Sequence, residues 1–241
     1  MSDSSCKMGD RTKENANEMD NRRWATFDCY GTLVDWNGGI GDQLESLFGT
    51  EMRGRALARY HELEPEIEAG EPGARYRRVL AQALAGVAES LGRDLPEEER
   101  DALGRSLPEW PVFDEVPAAL AELRERGWRL VILSNTDRDF IEASMERIGV
   151  PFELAIVASE VGSYKPAPGH WREFLRVTDA DPRRHVHVAA SLFHDVEPCN
   201  ELGVPCVWIN RLGEAPRGEP AAELPDLREL PETLERMIPA A

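Results

Sequence analysis

The stretch Trp24-Ala25-Thr26-Phe27-Asp28-Cys29-Tyr30-Gly31-Thr32-Leu33-Val34-Asp35 decides the fold. A short run of strand character stops at an aspartate, and Gly31 gives the backbone room to turn sharply just beyond it. Downstream, residues 37–108 read as helical. Leu80, Leu84, Val87 and Leu91 form one apolar stripe that ends at Gly92. Pro65 is expected to break or kink the helix around it, and Pro96 followed by three glutamates to open another.

After Pro108 and Pro111 the pattern changes. Asp114 is expected to cap a helix bearing Val116, Leu120 and Leu123, closed by Gly127. The continuous apolar run 128–133 suits a strand covered on both faces. Strands at 154–157, 185–189 and 206–209 then alternate with helices at 138–148, 169–177 and 193–202, and 214–225 reads as a loop before a short terminal helix. Such alternation implies a parallel sheet with right-handed crossovers. The expected fold is therefore α/β, a Rossmann-like parallel sheet with helices on both faces plus an inserted helical cap domain. The core takes 22–36 and 109–241, the cap takes 37–108, and polar, aperiodic residues 1–21 form a disordered tail. An insertion that long is a unit of its own rather than a loop. It leaves from the carboxyl end of a strand, where open parallel sheets bind ligands.

Composition narrows the partners. Across 241 residues, 28 basic side chains face 45 acidic ones, a net charge of −17. Nucleic acid and anionic lipid are excluded as partners, because both need clustered Lys and Arg. No window approaches the run of roughly 18 apolar residues that a membrane span requires. Residues 1–23 show no apolar signal core, so a cytoplasmic location is expected. The four cysteines lack paired spacing, which argues against a disulfide framework or a zinc site; Cys29, Cys199 and Cys206 are expected as buried thiols. A homodimer is left open.

Polar residues gather where the strands end: Asp28 to Asp35, Ser134 to Asp137, Ser163 to Pro166, and Ala189 to Asp195. In a parallel sheet these ends converge, although Asp28 and Ser134 lie 106 positions apart. A strand-end carboxylate is a competent nucleophile when a cation keeps it ionised and water is excluded. Lys165 supplies that cation by Coulombic attraction. Ser134, Asn135 and backbone N–H groups are candidates to hold a small anionic substrate, and Asp195 to orient Lys165 or a water. His185 and His187 alternate along a strand and are expected to point away from the cleft.

Taken in order, FDCYGTLVDW, LSN, SYKP and the SLFHD segment resemble the four motifs of the haloacid dehalogenase-like hydrolase superfamily over nearly all of 24–210. The resemblance implies a hydrolase with Asp28 as nucleophile. Most members are magnesium-dependent phosphatases with an aspartate two positions after the nucleophile. Here that position is Tyr30, and Ala189-Ala190 stand where the fourth motif has Gly-Asp. Both departures resemble the 2-haloacid dehalogenase branch, which reads D-x-Y-G-T-L and uses no metal. That branch also carries a cap arginine 31 positions after the nucleophile in R-x-x-x-L-E; here it is Arg59, in Arg59-Tyr60-His61-Glu62-Leu63-Glu64.

The resemblance implies catalytic roles for Asp28, Thr32, Lys165, Asp195 and His194, and substrate binding by Tyr30, Arg59, Ser134 and Asn135. Arg59 and Asn135 would receive the halide. Ala190 and Leu192 replace a serine and an asparagine of the branch pattern, and His194 is a candidate to compensate as a base. The reaction expected is cleavage of the carbon–halogen bond of a short 2-haloalkanoate through an aspartyl ester, without a cofactor. The alternatives are a phosphatase holding magnesium on Asp28, the Tyr30 carbonyl and Asp195, or a catalytically weakened member that binds a metabolite.

Overall fold

The structure is a computed structural model that describes residues 21–216 and 218–240. The tail expected over 1–21 lies, apart from its last residue, outside the described residues, as does Cys6. Six parallel strands form one sheet in the order β3-β2-β1-β4-β5-β6. They are β1 (Arg23–Phe27), β2 (Trp128–Ser134), β3 (Leu154–Val157), β4 (His185–Ala189), β5 (Cys206–Ile209) and β6 (Ala222–Leu224). All five expected strands match to within a residue: three coincide, β1 gains Arg23 at its start and β2 gains Ser134 at its end. β6 corrects the reading of 214–225 as loop. It is three residues long, too short to carry a periodic signal, and is recruited by the free edge of β5.

The sheet is central because its strands are apolar on both faces. Ala25, Phe27, Leu130, Ile132, Val186 and Val188 point into one core, while Trp24, Val131, Leu133, Trp171, Phe174 and Trp208 fill the other. This is the two-residue alternation of a pleated strand, with both sides covered. Each fully buried Leu, Ile or Phe contributes about 1.5–3 kcal/mol relative to exposure. Among the described residues, no helix is long and apolar enough to cross a membrane. Cys29, Cys199 and Cys206 are buried free thiols, as expected.

Between β1 and β2 lie α1 (Trp36–Phe48), α2 (Arg53–Gly70), α3 (Tyr76–Ser90), α4 (Ala102–Ser106) and α5 (Val116–Glu125). The stripe on α3 is seen as Leu80, Leu84 and Val87, fully buried, and Gly92 closes the turn with φ +64°. Of the break or kink expected at Pro65, the break does not occur: α2 runs through the proline without ending. Its packing holds both halves: Ala56 and Tyr60 before the proline and Glu64 and Glu68 around and after it are all buried on one face. Pro96 precedes only a short 3₁₀ turn, Glu97–Glu99, ahead of α4. Nor does Asp114 cap α5; the residue at its N-cap is Glu115, with no side-chain bond. Trp110 packs where the insert rejoins the sheet, so close to α1 that a Cβ on Gly39 would stand 2.2 Å from its ring.

The remaining helices are α6 (Arg138–Ile148), α7 (Ala158–Val161), α8 (Gly169–Thr178), α9 (Glu197–Leu202) and α10 (Leu230–Met237). The helix expected at 193–202 instead begins as a π turn over Leu192–Val196, before α9. At β1 the order of strands reverses, with β2 on one side and β4 on the other. The carboxyl ends of β1, β2 and β4 therefore open a crevice at the switch point, where doubly wound sheets bind ligands.

Candidate active site

Asp28 continues β1 by one residue, its N–H donating to Val188 O at 3.0 Å. The chain then folds back: the Leu33 N–H reaches Cys29 O at 2.8 Å and the Gly31 N–H reaches Val34 O at 2.8 Å. Gly31 takes φ +91°, a conformation costly for any residue with a Cβ. This turn brings Thr32 back over Asp28. Its hydroxyl donates to Asp28 Oδ2 at 2.8 Å and accepts from the Ala190 N–H at 2.9 Å, tying the β1 end to the β4 end.

Lys165 is 1% exposed and spends all three ammonium protons, on Asp28 Oδ1 at 2.9 Å, Asp195 Oδ1 at 2.6 Å and Leu133 O at 3.0 Å. Burial works against its charge, but the Asp195 and Asp28 carboxylates outweigh that penalty and hold it above the usual lysine range. Burial likewise pushes Asp195 up, and the Lys165 and His187 partners more than reverse it, leaving the carboxyl well below its usual range. Asn135 fixes the lysine backbone from both sides, donating to Lys165 O at 3.0 Å and accepting from the Lys165 N–H at 2.6 Å. His170, buried, sets its Nε2–H on Ser134 O at 3.1 Å; burial pushes this ring down to about 3, so it is neutral.

A hydrogen-bonded row runs away from Asp195 beneath the sheet. His187 Nε2 lies 2.9 Å from Asp195 Oδ1, His187 Nδ1 lies 2.8 Å from Thr26 Oγ1, and His185 Nε2 lies 2.8 Å from the same hydroxyl. With a carboxylate at one end, chemistry orders the donors: His185 N–H to Thr26, Thr26 O–H to His187, His187 N–H to Asp195. Both histidines do lie on one side of β4, but His187 is not remote from the cleft; it corrects that expectation by serving the site from below.

A cavity of about 70 Å³ opens above Asp28, lined by Tyr30, Trp36, Glu64, Glu68, Tyr76, Ser134, Asn135, Lys165, His194 and Asp195. The structure thus brings together Asp28, Tyr30, Ser134, Asn135, Lys165, His194 and Asp195, with Thr32 immediately behind. Tyr30 packs at 5.9 Å from the Trp110 ring and at 6.4 Å from Tyr76, so it serves as cavity wall and as core aromatic at once. His194 rests its Nδ1 on Ser191 Oγ at 3.1 Å, and burial lowers its pKa, so the ring is neutral near pH 7.

Arg59 is the exception. Its guanidinium pairs with Glu62 at 2.7 Å, its side chain is 38% exposed, and it does not line the cavity. The structure therefore does not bring Arg59 together with the other residues expected to bind the halide or the carboxylate. On α2 the inward face is Ala56, Tyr60, Glu64 and Glu68, and a residue one step from Tyr60 points about 100° away. In place of an arginine, the insert presents two buried acids. Glu64 Oε1 accepts from Tyr76 at 2.6 Å and Tyr60 at 3.0 Å; burial nevertheless pushes it up to about 7. Burial, followed by repulsion from Glu64, pushes Glu68 up to about 9. Sequence reasoning missed Trp36, Glu64, Glu68 and Tyr76. The spacing 60, 64, 68 was the available signal, a helix face that closes on the sheet.

The magnesium set of the phosphatase reading does not fit. An ammonium already bridges Asp28 and Asp195, and Thr32 takes the other oxygen of Asp28. Among the described residues no group of three or more His, Cys, Asp or Glu is arranged to hold a metal ion.

Comparison with known proteins agrees with the geometry. The chain is 32% identical over 179 residues to a phosphoserine phosphatase of Thermus thermophilus, covering 72% of this chain and 70% of that one. It is 29% identical over 199 residues to an (S)-2-haloacid dehalogenase of Pseudomonas sp. strain YL, covering 81% and 85%. Its fold matches the solved L-2-haloacid dehalogenase of Xanthobacter autotrophicus with a TM-score of 0.79 at 21% identity, over 89% of this chain and 98% of that one. The family profile described as haloacid dehalogenase-like hydrolase matches residues 23–203, and with it the Asp28 turn, the bridging lysine and the buried acid on a parallel sheet place this chain in the haloacid dehalogenase-like hydrolase family.

Proposed function

We propose that the chain is a metal-independent hydrolase that cleaves the carbon–halogen bond of a short 2-haloalkanoate through an ester on Asp28. The observation that carries this reading is the Lys165 bridge between Asp28 and Asp195, combined with Tyr30 where a proton donor would otherwise stand. A carboxylate held by an ammonium is a ready nucleophile. A leaving group that needs no proton suits a site with no acid two positions on. The (S)-2-haloacid dehalogenase relative supports the same assignment.

In the first step one Asp28 carboxylate oxygen attacks the α-carbon, the carbon–halogen bond breaks, and halide leaves with the electron pair. The substrate carboxylate is held by Ser134 Oγ, which is 1% exposed and has no partner within the protein. With Arg59 turned outward, the halide departs toward the aromatic wall formed by Tyr30, Trp36 and Tyr76. In the second step water attacks the ester carbonyl carbon, the acyl–oxygen bond breaks, and the 2-hydroxy acid and Asp28 are released. His194, neutral, with Nδ1 engaged by Ser191 and Nε2 3.8 Å from Glu68 Oε2, takes the water proton and hands it to the departing hydroxyl oxygen, while the regenerated Asp28 carboxyl loses its own proton to solvent. Asp195 Oδ2, which has no partner within the protein, holds that water. The helical insert acts as a cap that excludes bulk water and so strengthens these interactions. Three buried free thiols favour a reducing, cytoplasmic setting.

One paired assay tests the reading: halide release from 2-chloropropionate with chelator present, and phosphate release from phosphoserine with added magnesium. Halide without metal is the expected result. Phosphate alone would replace the reading with that of the Thermus relative. Rapid quenching should also leave adduct mass on the peptide containing Asp28.

A further inference from the structure

The cavity holds four carboxyls, Asp28, Asp195, Glu64 and Glu68, and among the residues lining it Lys165 is the one lysine or arginine. That lysine is spent on the two sheet carboxylates. The insert's pair therefore faces the cavity with no lysine or arginine of its own; its nearest basic side chain is His194, whose Nε2 stands 3.8 Å from Glu68 Oε2 and whose ring burial keeps neutral. Glu64 and Glu68 are 7% and 6% exposed, one helical turn apart on the inward face of α2. Helical neighbours at this spacing stand about 5–6 Å apart at Cβ, a gap that an ammonium fits with hydrogen bonds to both. One further polar group of the cavity lining is unpartnered by the protein: Ser134 Oγ, on a residue 1% exposed. A ligand that satisfies all of them needs an anionic or hydroxyl-seeking end at Ser134 and a positive, proton-rich end at α2.

We propose that Glu64 and Glu68 seat an ammonium group of the substrate, so that the molecule turned over is a small amino-bearing haloacid with its positive end against α2. This rests on Asp28 being the nucleophile, and it names the substrate class for that same site. The aromatic neighbours agree with the assignment. Trp36 and Tyr76 line the same cavity, Trp36 donates to Tyr76 at 3.2 Å, and Tyr76 in turn donates to Glu64 at 2.6 Å, so an aromatic wall stands beside the acids. The two acids are pushed up, by burial above all, to about 7 and about 9 in the absence of a cation; a bound ammonium reverses that and restores their charge.

Titration calorimetry on the intact protein tests the seat without turnover. Propionate and 3-aminopropionate are compared at about pH 8, where the amine is charged. The wild type is expected to bind 3-aminopropionate at least about tenfold more tightly, and Glu64→Gln with Glu68→Gln to erase the difference. If the double variant fails to fold, each single glutamine variant is read the same way. Equal or tighter propionate binding by the wild type overturns the proposal. So does propionate binding that tightens as pH falls with no preference for the amine, which would mean that neutral acids donate to an anion. An amine preference that survives both glutamines overturns it too. Halide release from 2-chloropropionate is measured beside it. Loss of halide release with the preference kept counts against the reaction, whereas halide release with no preference counts against the seat alone.

Discussion

The floor and the roof of the cavity are built by opposite means. On the floor, Asp28, Lys165 and Asp195 stand at strand ends, locked by bonds of 2.6–3.0 Å to one another, to Thr32 and to backbone. In the roof, Glu64, Glu68, Trp36 and Tyr76 come from helix faces, and their acids ride well above ordinary carboxylate behaviour. The floor is a closed charge account of one ammonium and two carboxylates. The roof is left open for something else to complete. On the reading proposed above, the sheet fixes the bond-making chemistry and the insert selects the molecule that receives it.

That contrast can be broken in four ways, beginning with the largest effect. Asp28→Asn should lower kcat for halide release by roughly 10⁴ or more, since the nucleophile is lost while the fold is kept. Near-normal turnover in that variant would remove the floor's assigned role. Lys165→Met should cost about 3–5 kcal/mol in urea unfolding, because two buried carboxylates then face each other without a cation. A change under about 1 kcal/mol would mean that the floor is not held by charge.

The roof answers to pH with the opposite sign. Glu64 and Glu68 keep their protons in the folded protein up to about 7 and about 9, against an ordinary value of 4.5. In that window the folded state binds more protons than the unfolded one, so stability falls as pH rises. Glu68→Gln should therefore raise the unfolding midpoint above pH 7 by the equivalent of about 2 kcal/mol and change little near pH 4. Asp195, depressed by Lys165 and His187, behaves in reverse: its contribution is present at neutral pH and lost in acid. A Glu68→Gln gain that is the same at both pH values would contradict the burial of a titrating acid. Smallest of all, Arg59→Ala should leave halide release within about twofold and stability within about 0.5 kcal/mol, as befits an exposed ion pair. A tenfold loss of kcat/KM would return Arg59 to the cavity.

The same contrast explains what could be read from the chain. Asp28, Ser134, Lys165 and Asp195 were legible because strand ends in a parallel sheet must converge, whatever their separation in sequence. Both faces of β2 are buried, so its apolar run marked it within one residue. Helix faces are less forgiving. Arg59 and Tyr60 are neighbours, yet one lies on the surface and the other is fully buried, and spacing from the nucleophile does not say which turns inward. Pro65 does not end its helix for a related reason: local chemistry forbids a bond, but packing on either side keeps the helix going. His187 escaped because alternation tells that two residues share a face, not what lies beneath it. Its partner Asp195 arrives from the turn after β4, where the backbone takes a wider coil than an apolar stripe can announce.

Asp137 joins the two regions directly. Its carboxylate accepts from the backbone N–H groups of Tyr76 at 3.2 Å and Arg77 at 3.1 Å, and Tyr164 grips Ala74 O at 2.9 Å beside it. These anchors sit two residues beyond Asn135 and one before Lys165, so the leading end of α3 is tethered to the very loops that present the amide and the ammonium. Swinging that helix outward would tug on both loops, so a movement of the insert would be felt at Asn135 and Lys165.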